Sequence, residues 1–262
     1  MSVRAKKHLG QHFLKDESIC IRIADEIKCE KPFSKALEIG PGMGALTKFL
    51  LKKTDFDTEV IELDEESVEY LSDNYPQLAG KIHYADFLKT DLTNLMGTEP
   101  FAVVGNFPYN ISSQILFKIL DYKDQVPLAV GMFQKEVAER VAEGPGSKRY
   151  GIISVLLQAF YDVEYLFTVD ENVFSPPPKV KSGVIRLIRN DVEKLDCDHK
   201  LFVQLVKMAF GQRRKTLRNS LKPLINRTSG KVNKDQEIFS RRPETLSVQE
   251  FIELTKQFQA HI

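Results

Sequence analysis

The sequence predicts an α/β fold, in which helices cover both faces of a mainly parallel sheet, followed by a smaller domain made of helices. Short apolar runs alternate with segments of helical periodicity up to about residue 190, and only helical patterns follow. The chain has 262 residues, of which 42% are hydrophobic, so it can build one large core and one small one. We therefore predict a first domain at residues 1–190 and a second at residues 191–262.

Seven apolar runs of strand length define the predicted sheet. Helical stretches separate most of them, as is typical of parallel strands joined by crossover helices. The last two runs are separated only by the loop-like segment "DENVFSPPPKVK", which leaves no room for a helix, so we expect an antiparallel strand at the sheet edge. The runs are 35–40, 58–63, 81–86, 100–105, 126–133, 162–169 and 182–189.

Two segments after the sheet have the periodicity of amphipathic helices, residues 200–225 and residues 247–262. The first contains the basic stretch "GQRRKTLRNSL", which we expect to be helical. Its side chains suit phosphate groups, because a guanidinium can donate two parallel hydrogen bonds. The phosphate contacts that we expect from this stretch are Arg213, Arg214, Lys215 and Arg218.

Charge is unevenly distributed, although the formal net charge is only +1. Residues 54–80 contain nine acids and no Lys or Arg, whereas residues 199–231 contain nine Lys or Arg and no acid. Such separation is typical of a protein in which one region binds a polyanion. A solvated helical face is an alternative that the charges alone leave open.

The cysteines and the apolar runs indicate the redox state of the thiols and the compartment in which the protein is expected. Cys20, Cys29 and Cys197 are odd in number and lack Cys-x-x-Cys spacing, which favours reduced thiols over a disulfide framework or a zinc site. We expect no bound metal. The basic N-terminus lacks the apolar stretch of a secretory signal, and no run of about 18 apolar residues occurs. A cytoplasmic protein without a membrane partner is expected.

The stretch "LEIGPGMGALT", residues 37–47, predicts a nucleotide-type site. A strand leads into Gly40 and Gly42 and then into a helical run, so the backbone can approach a ligand closely and helix N–H groups can face it. Glu62 follows twenty positions after Gly42, at the end of the next strand, where a carboxylate can accept hydrogen bonds from ribose hydroxyls. The pattern alone does not choose between NAD and S-adenosylmethionine.

A further acid and a turn follow the next two strands. Asp86 can accept a hydrogen bond from an adenine amino group, although an Asp here is also a common helix N-cap. In "VVGNFPYNIS" the side chain of Asn106 and the carbonyl of Phe107 or Pro108 can accept both N–H bonds of an adenine amine, which turns its lone pair toward a methyl donor. Tyr109 can stack on the base. An ordinary strand-ending turn is the alternative.

Seven ordered segments resemble those of one enzyme family along nearly the whole chain. The sequence is similar to the bacterial KsgA-type small-subunit rRNA adenine dimethyltransferases in "GQHFL", "EIGPGMGALT", "IELD", "ADFL", "NFPYNIS", "FSPPPKVKSGVIRL" and "AFGQRRKTLRNSL". This resemblance implies a Rossmann-like class I methyltransferase sheet that uses S-adenosylmethionine. It also implies N6,N6-dimethylation of two adjacent adenosines in the 3′-terminal hairpin of 16S rRNA, in the immature 30S subunit, by a monomer.

The resemblance also assigns roles to individual residues. The second domain is expected to bind RNA, and the first to bind the cofactor and carry catalysis. Two positions depart from the family pattern, because His12 stands where members often have Asn and Phe107 where they often have Leu. The implied cofactor contacts are His12, Leu14, Gly40, Gly42, Glu62, Asp86 and Asn106. The implied residues around the target base are Asn106, Pro108, Tyr109 and Phe174.

Three other functions compete with this one. An Erm-type methyltransferase acting on 23S rRNA would share the chemistry, but the long basic tail favours the small subunit. A non-catalytic RNA-binding assembly factor on the same fold is the second alternative, and the intact Glu62, Asp86 and Asn106 argue against it. An NAD-dependent oxidoreductase is disfavoured because the sequence offers no evident hydride-transfer partner.

Overall fold

The computed structural model describes residues 5–6, 9–229 and 231–262, which form two compact units. The first unit runs to Glu139 and includes Asp162–Arg189. The second comprises Arg140–Tyr161 and Asn190–Ile262, so it contains a segment that the sequence analysis assigned to the first domain. No helix in the described ranges is long and apolar enough to cross a membrane.

The first unit is built on a seven-stranded sheet, and all seven predicted strands are present. Two further short strands pair with each other outside this sheet. In chain order the strands are β1 (Phe13–Leu14), β2 (Lys35–Ile39), β3 (Asp57–Glu62), β4 (Ile82–Tyr84), β5 (Phe101–Asn106), β6 (Leu128–Gln134), β7 (Tyr161–Val169), β8 (Phe174–Ser175) and β9 (Ser182–Arg189).

The strand order in the sheet is β4-β3-β2-β5-β6-β9-β7. The first five strands in this order are parallel, and β9 runs antiparallel to β6. The predicted antiparallel strand is therefore present, but it is β9 and lies one place inside the edge that β7 forms. The central strand β5 is buried from Phe101 to Gly105, as expected for a parallel strand covered on both faces.

Helices of the first unit follow most of the parallel strands. An aspartate caps the first of these helices, because the Asp16 side chain accepts a hydrogen bond from the Ser18 N–H at 2.9 Å. The helices are α1 (Glu17–Asp25), α2 (Thr47–Leu50), α3 (Glu65–Asn74), α4 (Leu92–Met96), α5 (Ser112–Asp121) and α6 (Lys135–Ala142), which ends within the second unit.

The second unit is helical, as predicted, but its basic stretch is helical only in part. Its helices are α7 (Ile152–Gln158), α8 (His199–Gly211), α9 (Leu217–Ser220), α10 (Lys222–Arg227) and α11 (Val248–Gln259). The helix predicted over residues 200–225 breaks after Gly211, where Gln212 leaves helical geometry at φ −125° and ψ 47°. Thr216 is extended and is the N-cap residue that precedes α9. Arg213, Arg214 and Lys215 therefore lie in a turn.

Candidate active site

A cavity of about 220 Å³ lies at the carboxyl ends of the parallel strands β2, β3, β4 and β5. Its walls are the segments that follow these strands, together with residues 9–14. This is the edge at which open α/β sheets bind ligands, because loops and helix N-termini meet there.

The turn after β2 brings backbone to the cavity wall. Gly40 and Gly42 have φ values of +65° and +54°, in the left-handed region that favours glycine. A Cβ atom on Gly42 would lie 2.8 Å from the ring of Phe13, so only glycine fits between this ring and the cavity.

Glu62 ends β3 with a buried carboxylate that three backbone N–H groups hold. Oε2 accepts from Gly42 at 3.1 Å, and Oε1 accepts from Leu63 at 2.8 Å and Asp64 at 2.9 Å. Burial raises the pKa of this carboxyl, and the three N–H groups oppose the rise. Because a carboxylate can accept about four hydrogen bonds, Glu62 keeps acceptor capacity for a ligand hydroxyl at the cavity.

Glu38 is a second buried acid at the cavity, and the sequence analysis did not assign it. Thr47 Oγ1 donates to its Oε2 at 2.6 Å. Burial raises the pKa of Glu38 to about 8, so the carboxyl is mostly protonated at neutral pH. The signal in the sequence was an acid within an otherwise apolar strand.

Asp86 lines the cavity and also shapes the turn after β4. Its Oδ1 accepts from the Leu88 N–H at 2.9 Å, and Lys89 Nζ lies 3.4 Å from Oδ2. Asp86 is therefore not a helix N-cap, because its hydrogen bond closes a turn and the next helix is capped by Asp91. The Asp86 residue remains part of the cavity wall.

Asn106 ends β5 with its amide oriented by one hydrogen bond. Nδ2 donates to the carbonyl of His12 at 2.9 Å, and Oδ1 accepts nothing from the described residues. The next residue, Phe107, donates its N–H to Met132 at 3.1 Å and is buried. A Cβ atom on Gly131 would lie 2.2 Å from the Phe107 ring, so two neighbouring strands fix the turn.

The carbonyl of Pro108 is occupied, which corrects one of the expected acceptors. It accepts hydrogen bonds from the Ile111 N–H and from Ser112 Oγ, each at 3.3 Å, because the chain turns into α5 here. The carbonyl of Phe107 accepts none from the described part of the chain. Asn106 Oδ1 and the Phe107 carbonyl are therefore the two neighbouring acceptors that remain available.

Tyr109 and His12 form the aromatic wall beside these acceptors. Their ring centroids are 5.4 Å apart with planes tilted by 31°. The Tyr109 hydroxyl is hydrogen-bonded to Ser182 Oγ, and His12 Nδ1 lies 2.8 Å from the carbonyl of Pro176. Burial raises the pKa of Tyr109, so its hydroxyl stays protonated at neutral pH.

Phe174 is not at the cavity, contrary to its expected contact with the target base. It pairs with Leu14 where β8 runs antiparallel to β1, and its side chain is 1% exposed within the hydrophobic core. The strand pairing turns the ring inward, so Phe174 presents no face to a ligand in this structure.

The expected phosphate contacts differ in their environments. Arg213 donates to the Ser147 carbonyl at 3.1 Å, and Arg218 lies 3.2 Å from Asp235. Arg214 and Lys215 are exposed, and neither forms an ion pair with a described residue. Arg213 and Arg218 are thus partly engaged within the second unit.

The cavity brings together nine of the assigned residues and excludes Phe174. Sequence reasoning missed Glu38 and, beyond the cavity's rim, the buried Asp64. The nine are His12, Leu14, Gly40, Gly42, Glu62, Asp86, Asn106, Pro108 and Tyr109.

Comparisons with known proteins agree over almost the whole chain. Residues 2–259 match the model of a family described as ribosomal RNA adenine dimethylase. A Parabacteroides distasonis protein called ribosomal RNA small subunit methyltransferase A is 60% identical over 262 residues, which cover 99% of this chain and 96% of that protein.

Two solved structures share this architecture. A dimethyladenosine transferase from Plasmodium falciparum is 26% identical with a TM-score of 0.78, covering 95% of this chain and 98% of that one. The 23S rRNA methyltransferase ErmE is also 26% identical, with a TM-score of 0.66 and coverage of 93% and 99%.

Proposed function

The chain belongs to the ribosomal RNA adenine dimethylase family, and from this premise we propose that it dimethylates N6 of two adjacent adenosines in the 3′-terminal hairpin of 16S rRNA. S-adenosylmethionine is the methyl donor, and the reaction takes place during assembly of the small ribosomal subunit. The relative that is 60% identical over 99% of the chain supports the small subunit as the target, whereas ErmE is 26% identical.

The environment of Asn106 is the observation that carries this proposal. Its Nδ2 donates to the His12 carbonyl, so Oδ1 remains an acceptor at a residue that lines the cavity. The Phe107 carbonyl, one residue on, is also without a donor among the described residues. Two fixed acceptors suit the two N–H groups of an adenine amine. By accepting both, they direct the nitrogen lone pair away from the ring system and toward the cavity.

The chemistry of the cavity fits S-adenosylmethionine, which supplies an electrophilic methyl group when bound. Glu62 would accept hydrogen bonds from the ribose hydroxyls, and the backbone at Gly40 and Gly42 would pass close to the ligand. Asp86 and His12 line the same cavity and would complete the contacts.

Tyr109 would stack on the target base, because its ring lines the cavity and its hydroxyl is tied back to Ser182. The amine becomes acidic once it carries the new methyl group, so its proton can leave to water without a strong protein base. After the first transfer one N–H remains, and either Asn106 Oδ1 or the Phe107 carbonyl can still accept it.

We propose that the second unit binds RNA and that Arg214 and Lys215 contact its phosphates. Both side chains are exposed, and residues 199–231 contain no acid. We further propose that the protein acts as a monomer in the cytoplasm on the immature 30S subunit, where this RNA is found.

Methyl transfer from labelled S-adenosylmethionine tests the proposal directly. The purified protein is incubated with immature 30S subunits or with 23S rRNA, and the digested RNA is analysed by mass spectrometry. We expect N6,N6-dimethyladenosine in the small-subunit RNA alone. Label in 23S rRNA only would indicate the Erm-type activity, and RNA binding without any transfer would indicate a non-catalytic assembly factor.

A further inference from the structure

Asp64 is a buried carboxylate beside the cavity that the methyl-transfer chemistry does not use. Its side chain is 0% exposed, and three side chains donate to it. These are Lys6 Nζ, Gln11 Nε2 at 3.2 Å and Ser67 Oγ at 3.0 Å. Because a buried carboxylate is costly unless it is fully hydrogen-bonded, these donors are held firmly.

Two of the three donors come from the chain before β1. Gln11 lies in residues 9–14, which line the cavity, and its Oε1 also accepts the Lys6 N–H at 2.8 Å. Asp64 therefore fastens the segment that forms one wall of the cavity to the end of β3, two residues after Glu62.

The other end of this wall reaches the transfer site. The His12 carbonyl holds the amide of Asn106, and a Cβ atom on Gly10 would lie 2.6 Å from Asn110 Oδ1. Residues 9–14 are thus held both near Glu62, where we expect the ribose of the cofactor, and at Asn106, where we expect the target base. A shift of this segment would alter the cofactor contacts and release the Asn106 amide together.

We propose that Asp64 is a positioning residue, which fastens residues 9–14 against the cofactor and so slows cofactor release. This inference rests on the proposed function, since it requires that S-adenosylmethionine binds in the cavity. Linkage makes the effect reciprocal: the bound cofactor stabilises the fastened segment by the same factor by which the segment stabilises the cofactor.

The burial of Asp64 distinguishes it from its neighbour Glu66. Lys6 Nζ also lies 3.1 Å from Glu66, but the Glu66 side chain is 55% exposed. An exposed ion pair contributes little because solvent screens it, whereas hydrogen bonds to a buried carboxylate are stronger.

The test compares Lys6→Met with the matched control Lys81→Met. Lys6 is 30% exposed and pairs with Asp64 just after the carboxyl end of β3. Lys81 is 34% exposed and pairs with Asp57 at 3.1 Å, at the amino end of the same strand. Stopped-flow displacement measures the dissociation rate of S-adenosylmethionine without RNA. We expect release about five- to tenfold faster for Lys6→Met, and an unchanged rate for Lys81→Met.

A second variant and a second readout separate positioning from general stability. Asp64→Asn should accelerate release, and the double variant Lys6→Met/Asp64→Asn should release no faster than Asp64→Asn alone, because both changes break one contact. Hydrogen exchange should show that S-adenosylmethionine protects residues 9–14 in the wild type, with less protection in Lys6→Met.

Two outcomes would overturn the inference, and they are distinguishable. If Lys6→Met, Asp64→Asn and wild type release S-adenosylmethionine at the same rate, Asp64 has no positioning role, and the proposed function stands. If the wild-type protein does not bind S-adenosylmethionine at all, both the positioning role and the proposed function fail.

Discussion

At the scale of single residues, the acceptor role that we propose for the adenine amine is divided between Asn106 and Phe107. The amide of Asn106 has one end committed to His12 and the other available, and the Phe107 carbonyl is left without a donor from the described residues because the turn uses the Pro108 carbonyl instead. The two acceptors therefore differ in kind. One depends on a side chain and can be tested by substitution, whereas the other is backbone and tolerates a change of residue.

Asn106→Ala should slow the first methyl transfer by about 10²-fold or more, on the scale of losing one preorganised polar group at a reacting centre. Asn106→Asp should be slower than the wild type, because a carboxylate oxygen replaces Nδ2 beside the His12 carbonyl, but it should lose less than Asn106→Ala because it keeps an acceptor oxygen. Single-turnover assays with small-subunit RNA measure both rates. Equal losses in the two variants would contradict an acceptor role for Oδ1.

Glu38 gives the protein a pH dependence that follows from its burial. Its carboxyl titrates near its ordinary pKa of 4.5 when unfolded and at about 8 when folded. Between these values the folded state binds one proton more than the unfolded state, so the free energy of unfolding falls as pH rises. The contribution is complete below pH 4.5 and is lost as pH passes 8.

Glu38→Gln should remove this dependence, because a glutamine does not titrate and can still accept from Thr47 Oγ1. Urea unfolding at pH 5.5 and pH 8 should show a smaller difference in unfolding free energy for the variant than for the wild type, by about 1 kcal/mol or more. The same difference in both proteins would mean that Glu38 is ionised in the folded state.

At the scale of elements, the packing of β5 against β6 determines the position of the turn that follows Asn106. The Phe107 ring occupies the space that Gly131 leaves on β6, and the Phe107 N–H bonds to Met132 on the same strand. The position of the Phe107 carbonyl is thus set by two adjacent strands, with little freedom in the turn itself.

Gly131→Ala should lower the free energy of unfolding by about 1–3 kcal/mol, because the new Cβ would lie 2.2 Å from the Phe107 ring and 2.6 Å from the Gly105 carbonyl. Methyl transfer should slow as well, since the turn must move. Gly144→Ala is the control, because nothing lies within 4 Å of its added Cβ. Urea unfolding compares the two, and equal stability would argue against this packing.

The strands were predictable from the sequence because each is a short apolar run that a helical stretch or a loop-like segment separates from the next. The break after Gly211 was not, since helical periodicity continues through residues 212–216 while the backbone leaves the helix at Gln212. The resemblance placed Phe174 at the target base, whereas its burial depends on pairing with Leu14, about 160 residues away in sequence.

The residues of the site also divide into those that local sequence predicts and those that depend on distant contacts. Glu62 and Asn106 follow strands at recognisable positions, so the sequence placed them at one edge of the sheet. Asp64 was missed because its donors Lys6 and Gln11 are distant in sequence. The phosphate contact of Arg213 stays a prediction, whereas its hydrogen bond to the Ser147 carbonyl, 66 positions away, is an interaction that no local pattern encodes.

At the scale of the whole molecule, charge is concentrated by region, and this predicts how RNA affinity depends on salt. Replacing Arg214 and Lys215 with Gln should weaken RNA binding and reduce the slope of log affinity against log salt by roughly one unit for each phosphate that is no longer neutralised. Arg218→Gln should change the slope less, because Arg218 already lies 3.2 Å from Asp235. Filter binding at several salt concentrations measures the slopes. A larger change for Arg218→Gln would relocate the RNA contact to α9.

The pairing of β1 with β8 has a consequence for the protein during its own synthesis. Residues 9–14 leave the ribosome early, but their partners Ser175 and Pro176 follow about 160 residues later, at roughly 5–20 residues per second. Strand β9, which lies between β6 and β7, emerges later still. Until these residues are exposed, residues 9–14 lack their partner strand, so we expect this wall of the cavity to be unsupported in the nascent chain although all cavity-lining residues have been made.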